Sequence, residues 1–563
     1  MRTSDQLLLR GYGPLVGFAL LLVLMALLVP TVDAEHTAAG GPVDPVSGDD
    51  VAGDVPDAPQ PVEGEVDGDA PQAAEVDDEQ QAADTDTVDD PQAGGSEQDD
   101  PDGAGAQAQG GVEPCDDRDW QVPGDPYSPP CVTFEGDNGG GTHRGVTGDE
   151  IVVTARVPEG SGAADALAEV AGAEISDTRE DTIRTIEALV EYVNDRFEFY
   201  GRELRVEFYE GSPDSGDESL GGGQEGAMAD ALFVAEDVGA FAELKAGSAP
   251  FGDALAQQGV IGFGAPHLSR EWMSERAPYS WSIAVDCSTI SESASDFGIK
   301  RLVGRDAEFA GEEFRDQERR TVILAPDNPI YQECVGASIR AYEEAGVQPP
   351  DTMSYQLDST TLLNQATNLA AQLQANGYTT VQCSCDPILP VFLTSRAEEQ
   401  GYEPEWVITG TALMDQDIVG QLMQQDQWSR AFGISYSGRA MPFQESLGYS
   451  AYKQVRDDEP AQAVALEYYN LYLLAIGIQG AGPDLTPETF QQGMFDYPGG
   501  EGPAGIWAFG SDNHTTAEDF REIYWDPQEI SVYNNEPGAF VETDPGMRHR
   551  RGELPEGPPR LPR

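Results

Sequence analysis

The chain has 563 residues, with 101 Asp and Glu against 31 Lys and Arg, for a formal net charge of −70. That balance excludes nucleic acid and anionic membrane surfaces as partners, since both require clustered cations. The length admits more than one domain.

The chain opens with Arg2 and Arg10 flanking a polar stretch, and residues 14–30 are then almost purely apolar. The run 15–29 has the length of a signal-peptide apolar region, and Val32-Asp33-Ala34 fits the small-residue cleavage pattern. Residues 11–32 also stay uncharged over the span a membrane helix needs. Residues 1–34 are therefore read as a signal peptide or a membrane anchor. The rest of the chain is read as extracytoplasmic, either secreted or held at the cell surface by residues 11–32. From 35 to 112 there is no Lys, Arg or aromatic residue. So acidic and apolar-poor a stretch cannot offset its ordering entropy, and the composition predicts a disordered linker.

Six cysteines in an exported chain favour disulfides over metal ligation. Cys115 and Cys131 bracket a Pro-rich lead-in loop within residues 113–147 and are expected to pair with each other. Cys287, Cys334, Cys383 and Cys385 allow three pairings, of which Cys383–Cys385 is not expected because the ring would be tiny.

Beyond residue 148, short β-rich runs alternate with longer helical ones, the pattern of βαβ units and parallel sheets. Strands are predicted at 151–157, 204–209, 238–244 and 259–263, with helices over 177–199, 227–235 and 250–258. Apolar residues of the first helix, Ile183, Ile186, Leu189, Val190 and Val193, share one face and read as core. After an irregular stretch to about Ile290 the alternation restarts. Strands are predicted at 321–324, 353–357, 379–382 and 406–409, and helices at 332–345, 362–376 and 387–400. A further helix spans 461–479.

The expected fold is α/β: two doubly wound parallel-sheet lobes joined by a hinge. The N-terminal lobe covers 148–285 and the C-terminal lobe 286–430. A return segment, 431–530, completes the N-terminal lobe and hinge, and 531–563 is a tail whose Pro-rich, basic end, 548–563, reads as frayed. Two open sheets facing each other form a cleft at the carboxyl ends of their strands, suited to closure on a small ligand. Catalytic spacing is missing. Gly433-Ile-Ser-Tyr-Ser437 lacks the final glycine of a nucleophile elbow, and Gly221–Gly226 lacks the Lys-Ser/Thr of a phosphate loop. No enzymatic role and no cofactor are expected.

Several segments resemble the type I periplasmic binding proteins, in particular the branched-chain amino acid receptors of ABC transporters. They are Gly145-Val-Thr-Gly-Asp-Glu-Ile-Val-Val153, residues 192–204, Tyr468–Gly482 and Phe509-Gly-Ser-Asp-Asn-His514. The resemblance spans about residues 146–530. It implies a monomer that captures a small polar metabolite, amino-acid-like, amide or carboxylate, and delivers it to an ABC permease. The alternative is a membrane-tethered sensor using the same clamp.

Position by position, the resemblance implies that Ser248 meets a ligand carboxylate, although it also reads as a cap of the next helix. Ala265 and His267 fall on the second contact loop, where His267 also reads as a solvated histidine. Tyr331 stands where an aromatic residue covers the ligand, or on the lobe surface. Asp386 and Thr411 lie at strand ends of the second lobe. Thr411 stands where an acidic residue would pair with a ligand ammonium, leaving Asp286 or Asp386 to substitute. An ordinary α-amino acid is therefore not the expected ligand, because an unpaired buried ammonium costs several kcal/mol.

Overall fold

The computed structural model describes residues 111–158, 177–212, 218, 222–264, 268–358 and 360–561. The signal or anchor and almost all of the acidic linker lie outside the described residues. The lead-in opens with an antiparallel pair, β1 (Gly111–Pro114) and β2 (Val132–Glu135). The expected Cys115–Cys131 disulfide closes it, with the Cα atoms 5.4 Å apart.

The first lobe is a parallel sheet in the order β4-β3-β5-β6-β7. Its strands are β3 (Glu150–Arg156), β4 (Glu203–Tyr209), β5 (Ala242–Glu243), β6 (Ile261–Phe263) and β7 (Ser280–Trp281). β3 is buried from Ile151 onward, as a strand covered on both faces must be. Helix α1 (Arg179–Arg196) starts at a Thr178/Asp181 capping box and turns Ile186, Leu189 and Val193 into the core. Between the remaining strands run α2 (Gln224–Leu232), α3 (Ala249–Gln257) and α4 (Arg270–Glu275). The stretch expected to be irregular up to Ile290 is thus ordered. It contributes α4, the edge strand β7 and the start of α5 (Cys287–Phe297). Its elements are two to six residues long before α5, too short to register as periodicity.

The second lobe follows with β8 (Thr321–Pro326), α6 (Pro329–Glu344), β9 (Asp351–Tyr355), α7 (Leu362–Ala375), β10 (Thr380–Cys383), α8 (Leu389–Gln400), β11 (Glu405–Ile408), α9 (Asp417–Leu422) and β12 (Ala431–Ser435). These strands are parallel. At their amino ends, Arg319 forks onto Glu405, with Nε to Oε2 at 2.7 Å and Nη2 to Oε1 at 2.8 Å. Thr380 Oγ1 and Phe309 N also donate to that carboxylate, at 2.9 and 3.1 Å.

The return segment departs from expectation. β12 is buried along its whole length and extends the second lobe's sheet, not the first. The chain then crosses to the first lobe as α10 (Leu447–Tyr452), α11 (Val464–Ala481) and α12 (Pro487–Phe495), whose Tyr472, Leu474 and Phe490 share a core with β3 and α1. After a hairpin, β13 (Gly500–Gly502) and β14 (Gly505–Trp507), it returns as β15 (Asp519–Ile530) and β16 (Pro537–Glu542), antiparallel additions beside β12. The tail, including the described part of the end expected to fray, is therefore ordered to residue 561. β16 lies within it, β17 (His549–Arg550) pairs with β15, Leu554 is buried, and Arg301 Nη1 donates to Pro555 O at 2.6 Å. The aromatic and aliphatic residues of 539–541 supply the apolar face that composition at the extreme end concealed.

Cys287 pairs with Cys334, and, contrary to expectation, Cys383 pairs with Cys385. Residues i and i+2 of a strand share a face. At the end of β10 the backbone brings their Cα atoms to 5.0 Å, inside the range a disulfide spans.

The lobes are joined at a crossing where Ser282 bridges Thr515 in parallel and Thr516 Oγ1 donates to Ile283 O at 2.6 Å. His514 lies buried there, edge-on to Trp281 at 4.9 Å, with Nδ1 unpartnered. Burial lowers its pKa to about 4, slightly opposed by Asp512. The unfolded state thus binds the extra proton between pH 6.5 and 4, so this contribution is present above pH 6.5 and lost as pH falls towards 4. Between about pH 7.5 and 5 the native chain is expected to lose about 2 kcal/mol more stability than His514→Gln in urea unfolding.

Candidate functional site

Three of the expected site residues lie at helix starts, where their side chains are already engaged. Ser248 caps α3, accepting from Phe251 N at 3.3 Å, and its hydroxyl donates to Glu218. The Glu218 carboxylate is gripped by both terminal nitrogens of Arg156 at 2.8 Å, and Arg156 also meets Asp230 at 3.0 Å. The chain thus places a carboxylate of its own at the helix start where a ligand carboxylate was expected.

Asp286 caps α5 through Thr289 N at 2.8 Å. Asp386 accepts from Ile388 N at 2.7 Å and Leu389 N at 3.2 Å, and from the Tyr355 hydroxyl at 2.5 Å. Burial nevertheless holds its pKa above the usual carboxylate range. Tyr331, in the first turn of α6, joins this group; burial and then the charge of Asp386 hold its phenol well above the usual range. Thr411 Oγ1 bonds to Thr409 Oγ1 at 2.9 Å. Ala265 and His267 lie outside the described residues. The structure therefore brings Tyr331 and Asp386 together, while Ser248 sits in the other lobe, Asp286 beside the crossing and Thr411 on its own strand end.

Near Ser248 and Tyr331 the lobes touch. Ile330 packs against the Leu268 and Met273 cluster, and Ser269 Oγ donates to Glu333 at 2.5 Å. Open space between the lobes lies towards the crossing, in a cavity of about 460 Å³. The second lobe contributes the loops after β11 and β12, with Asp415, Gln416, Tyr436, Ser437 and Arg439; the first contributes α11 and the β13–β14 hairpin, with Leu466, Tyr469, Ala504 and Trp507. Ile283, Val285 and Thr516 of the crossing close its side. The volume is that of a small-molecule site.

The polar end of the cavity has a defined arrangement. Asp415 Oδ2 accepts from Ser435 at 2.5 Å and Ser437 at 2.7 Å, and Oδ1 from Gln416 at 3.2 Å. No Lys or Arg pairs with it among the described residues. Arg439, exposed at the rim, likewise forms no ion pair among them. Between these poles the wall is largely aromatic and aliphatic. The turn before Asp415 holds Ala412 and Leu413 at φ of 52° and 64°, a left-handed conformation that costs a non-glycine residue about 1–2 kcal/mol.

This cavity escaped sequence reading. The resemblance implies an acidic residue near Thr411; the acidic side chain that lines the cavity is Asp415, four positions later and beyond that turn. Its other walls come from segments far apart in the chain.

The periplasmic binding protein model matches residues 172–528, more than half of the chain. The chain belongs to the periplasmic binding protein family. The fold is the type I form, with two α/β lobes, and a general solute-binding role outside the cytoplasmic membrane follows from membership. No curated protein matches this binding protein by sequence. Among solved structures it is similar to an ABC transporter substrate-binding protein from Aeropyrum pernix, at 14% identity and TM-score 0.48, covering 72% of this chain and 96% of that one. It is also similar to an R. palustris solute-binding protein in complex with 4-hydroxybenzoate, at 11% identity and TM-score 0.49, covering 72% and 98%. A third is LivJ from Streptococcus pneumoniae in complex with isoleucine, at 14% identity and TM-score 0.46, covering 70% and 99%. Among the described residues of the binding protein, no helix is long and apolar enough to cross a membrane.

Proposed function

We propose that this protein captures a small amphipathic metabolite in the interlobe cavity beside the crossing and delivers it to an ABC permease. The carrying observation is the cavity itself, bounded by both lobes and sized for one small molecule. Its aromatic and aliphatic walls suit an apolar body. Asp415, Gln416 and Ser437 suit a hydrogen-bonding group, and Arg439 suits a carboxylate or another electron-rich group at the mouth. That retains the carboxylate- or amide-bearing ligand expected from the sequence and moves it away from Ser248 and Asp386, whose side chains the chain already uses.

The test is a metabolite panel followed by thermal shift. A binder is expected to stabilise the protein by about 2.7 kcal/mol at a hundredfold excess over Kd. Tyr469→Ala and Asp415→Asn should each weaken that binder about tenfold or more, as loss of an aromatic anchor or a buried polar partner does. A saturating ligand indifferent to both substitutions would place the site elsewhere.

A further inference from the structure

Behind the cavity's first-lobe wall lies a segment that the family match does not include. Tyr127, in the disulfide-closed lead-in, is fully buried and stacks on Trp507 with centroids 4.1 Å apart and planes at 23°. It meets Tyr469 edge-on at 6.0 Å. Its hydroxyl accepts from Ala504 N at 2.7 Å and donates to Gly505 O at 2.9 Å. Its carbonyl accepts from the Tyr497 hydroxyl at 2.9 Å. Asp125, two residues earlier, accepts from the Tyr468 hydroxyl.

The hairpin is shaped to receive this loop. A Cβ on Gly500 would lie 2.5 Å from Pro126 O, and one on Gly502 would lie 2.5 Å from the Pro126 ring and 2.9 Å from the Tyr127 ring. Only glycine allows so close an approach at both positions.

Trp507, Tyr469 and Ala504 all line the cavity. One lead-in side chain therefore touches three of its lining residues without entering it. We infer that Tyr127 is a positioning residue for ligand selection, and that the Cys115–Cys131 lead-in sets how far the aromatic wall advances into the cavity. The inference rests on the cavity being the ligand site.

The experiment uses the full chain and two probes, the fluorescent anion anilinonaphthalene sulfonate and the smaller phenylacetate in competition with it. Both are expected to bind the native protein, and Tyr469→Ala is expected to weaken both. Tyr127→Leu removes the stack and lets the wall recede, so phenylacetate should lose about tenfold more affinity than the larger probe. A loss of folded protein would instead lower both equally. Tyr127→Phe keeps the ring and removes both hydroxyl bonds, and amide exchange at Ala504 should quicken about tenfold. Binding of neither probe, or binding indifferent to Tyr469→Ala, overturns the cavity reading and this inference with it. Binding that responds to Tyr469→Ala but keeps its probe ratio in Tyr127→Leu overturns this inference alone, as does unchanged exchange at Ala504 in Tyr127→Phe.

Discussion

Glu405→Ala is expected to destabilise the protein by about 3–5 kcal/mol, the cost of leaving a buried charge without its partner. The Arg319 and Glu405 side chains are 1% and 0% exposed. In the native chain the carboxylate satisfies two nitrogens of Arg319, the Thr380 hydroxyl and the Phe309 amide. Removing it strands the guanidinium, whose Nη1 already has no partner, among the amino ends of β8, β10 and β11. The double variant Arg319→Met/Glu405→Leu separates the two components. Because a buried pair replaced by apolar groups of similar volume is often near neutral, it should recover most of the loss. Urea midpoints of the single and double variants measure both. A double variant no more stable than Glu405→Ala would show that the pair itself, and not the stranded charge, holds these strands.

The second large effect is expected at Gly493. Where α11 crosses α12, a Cβ on Gly493 would lie 2.4 Å from the Gly480 carbonyl carbon and 2.5 Å from Ala481 N. Those are backbone atoms and cannot rotate aside. Alanine in a helix normally gains about 1 kcal/mol over glycine, but forcing two helix backbones apart in a packed core outweighs that gain. Gly493→Ala should therefore cost a net of about 2–3 kcal/mol. Since α11 carries Tyr469 and Leu466, the same displacement should weaken binding in the cavity. Gly239→Ala is a useful control. Its Cβ would meet nothing within 4 Å, and its only penalty is the backbone at φ +68°.

Much of the fold was legible because the first lobe's sheet and strands β8 to β12 of the second are parallel and covered on both faces. Their strands therefore appear as short, nearly unbroken apolar runs, such as Ile151–Ala155 and Val322–Ala325, separated by amphipathic helices. The second lobe's last strands were misplaced because a run such as Ala431–Ser435 states that it is buried but not in which sheet. The site was less legible for a chemical reason. Ser248, Asp286 and Asp386 are residue types that cap helices and also bind ligands, so position alone could not separate the two roles. Here the helix amides have claimed all three. The cavity that remains is assembled from loops near 415, 437, 469 and 507 and from the crossing, and only the repeated passage between lobes brings them together.

That repeated passage also governs how the molecule must be made. The first lobe's core needs α11, some three hundred residues downstream of β3, and the second lobe's sheet is unfinished until β15 and β16 emerge. Neither half can be completed as its own stretch of polypeptide leaves the ribosome, so native structure must wait until nearly the whole chain is free. A fragment ending at residue 430 would lack essential parts of both halves, which makes this two-lobed protein a single folding unit.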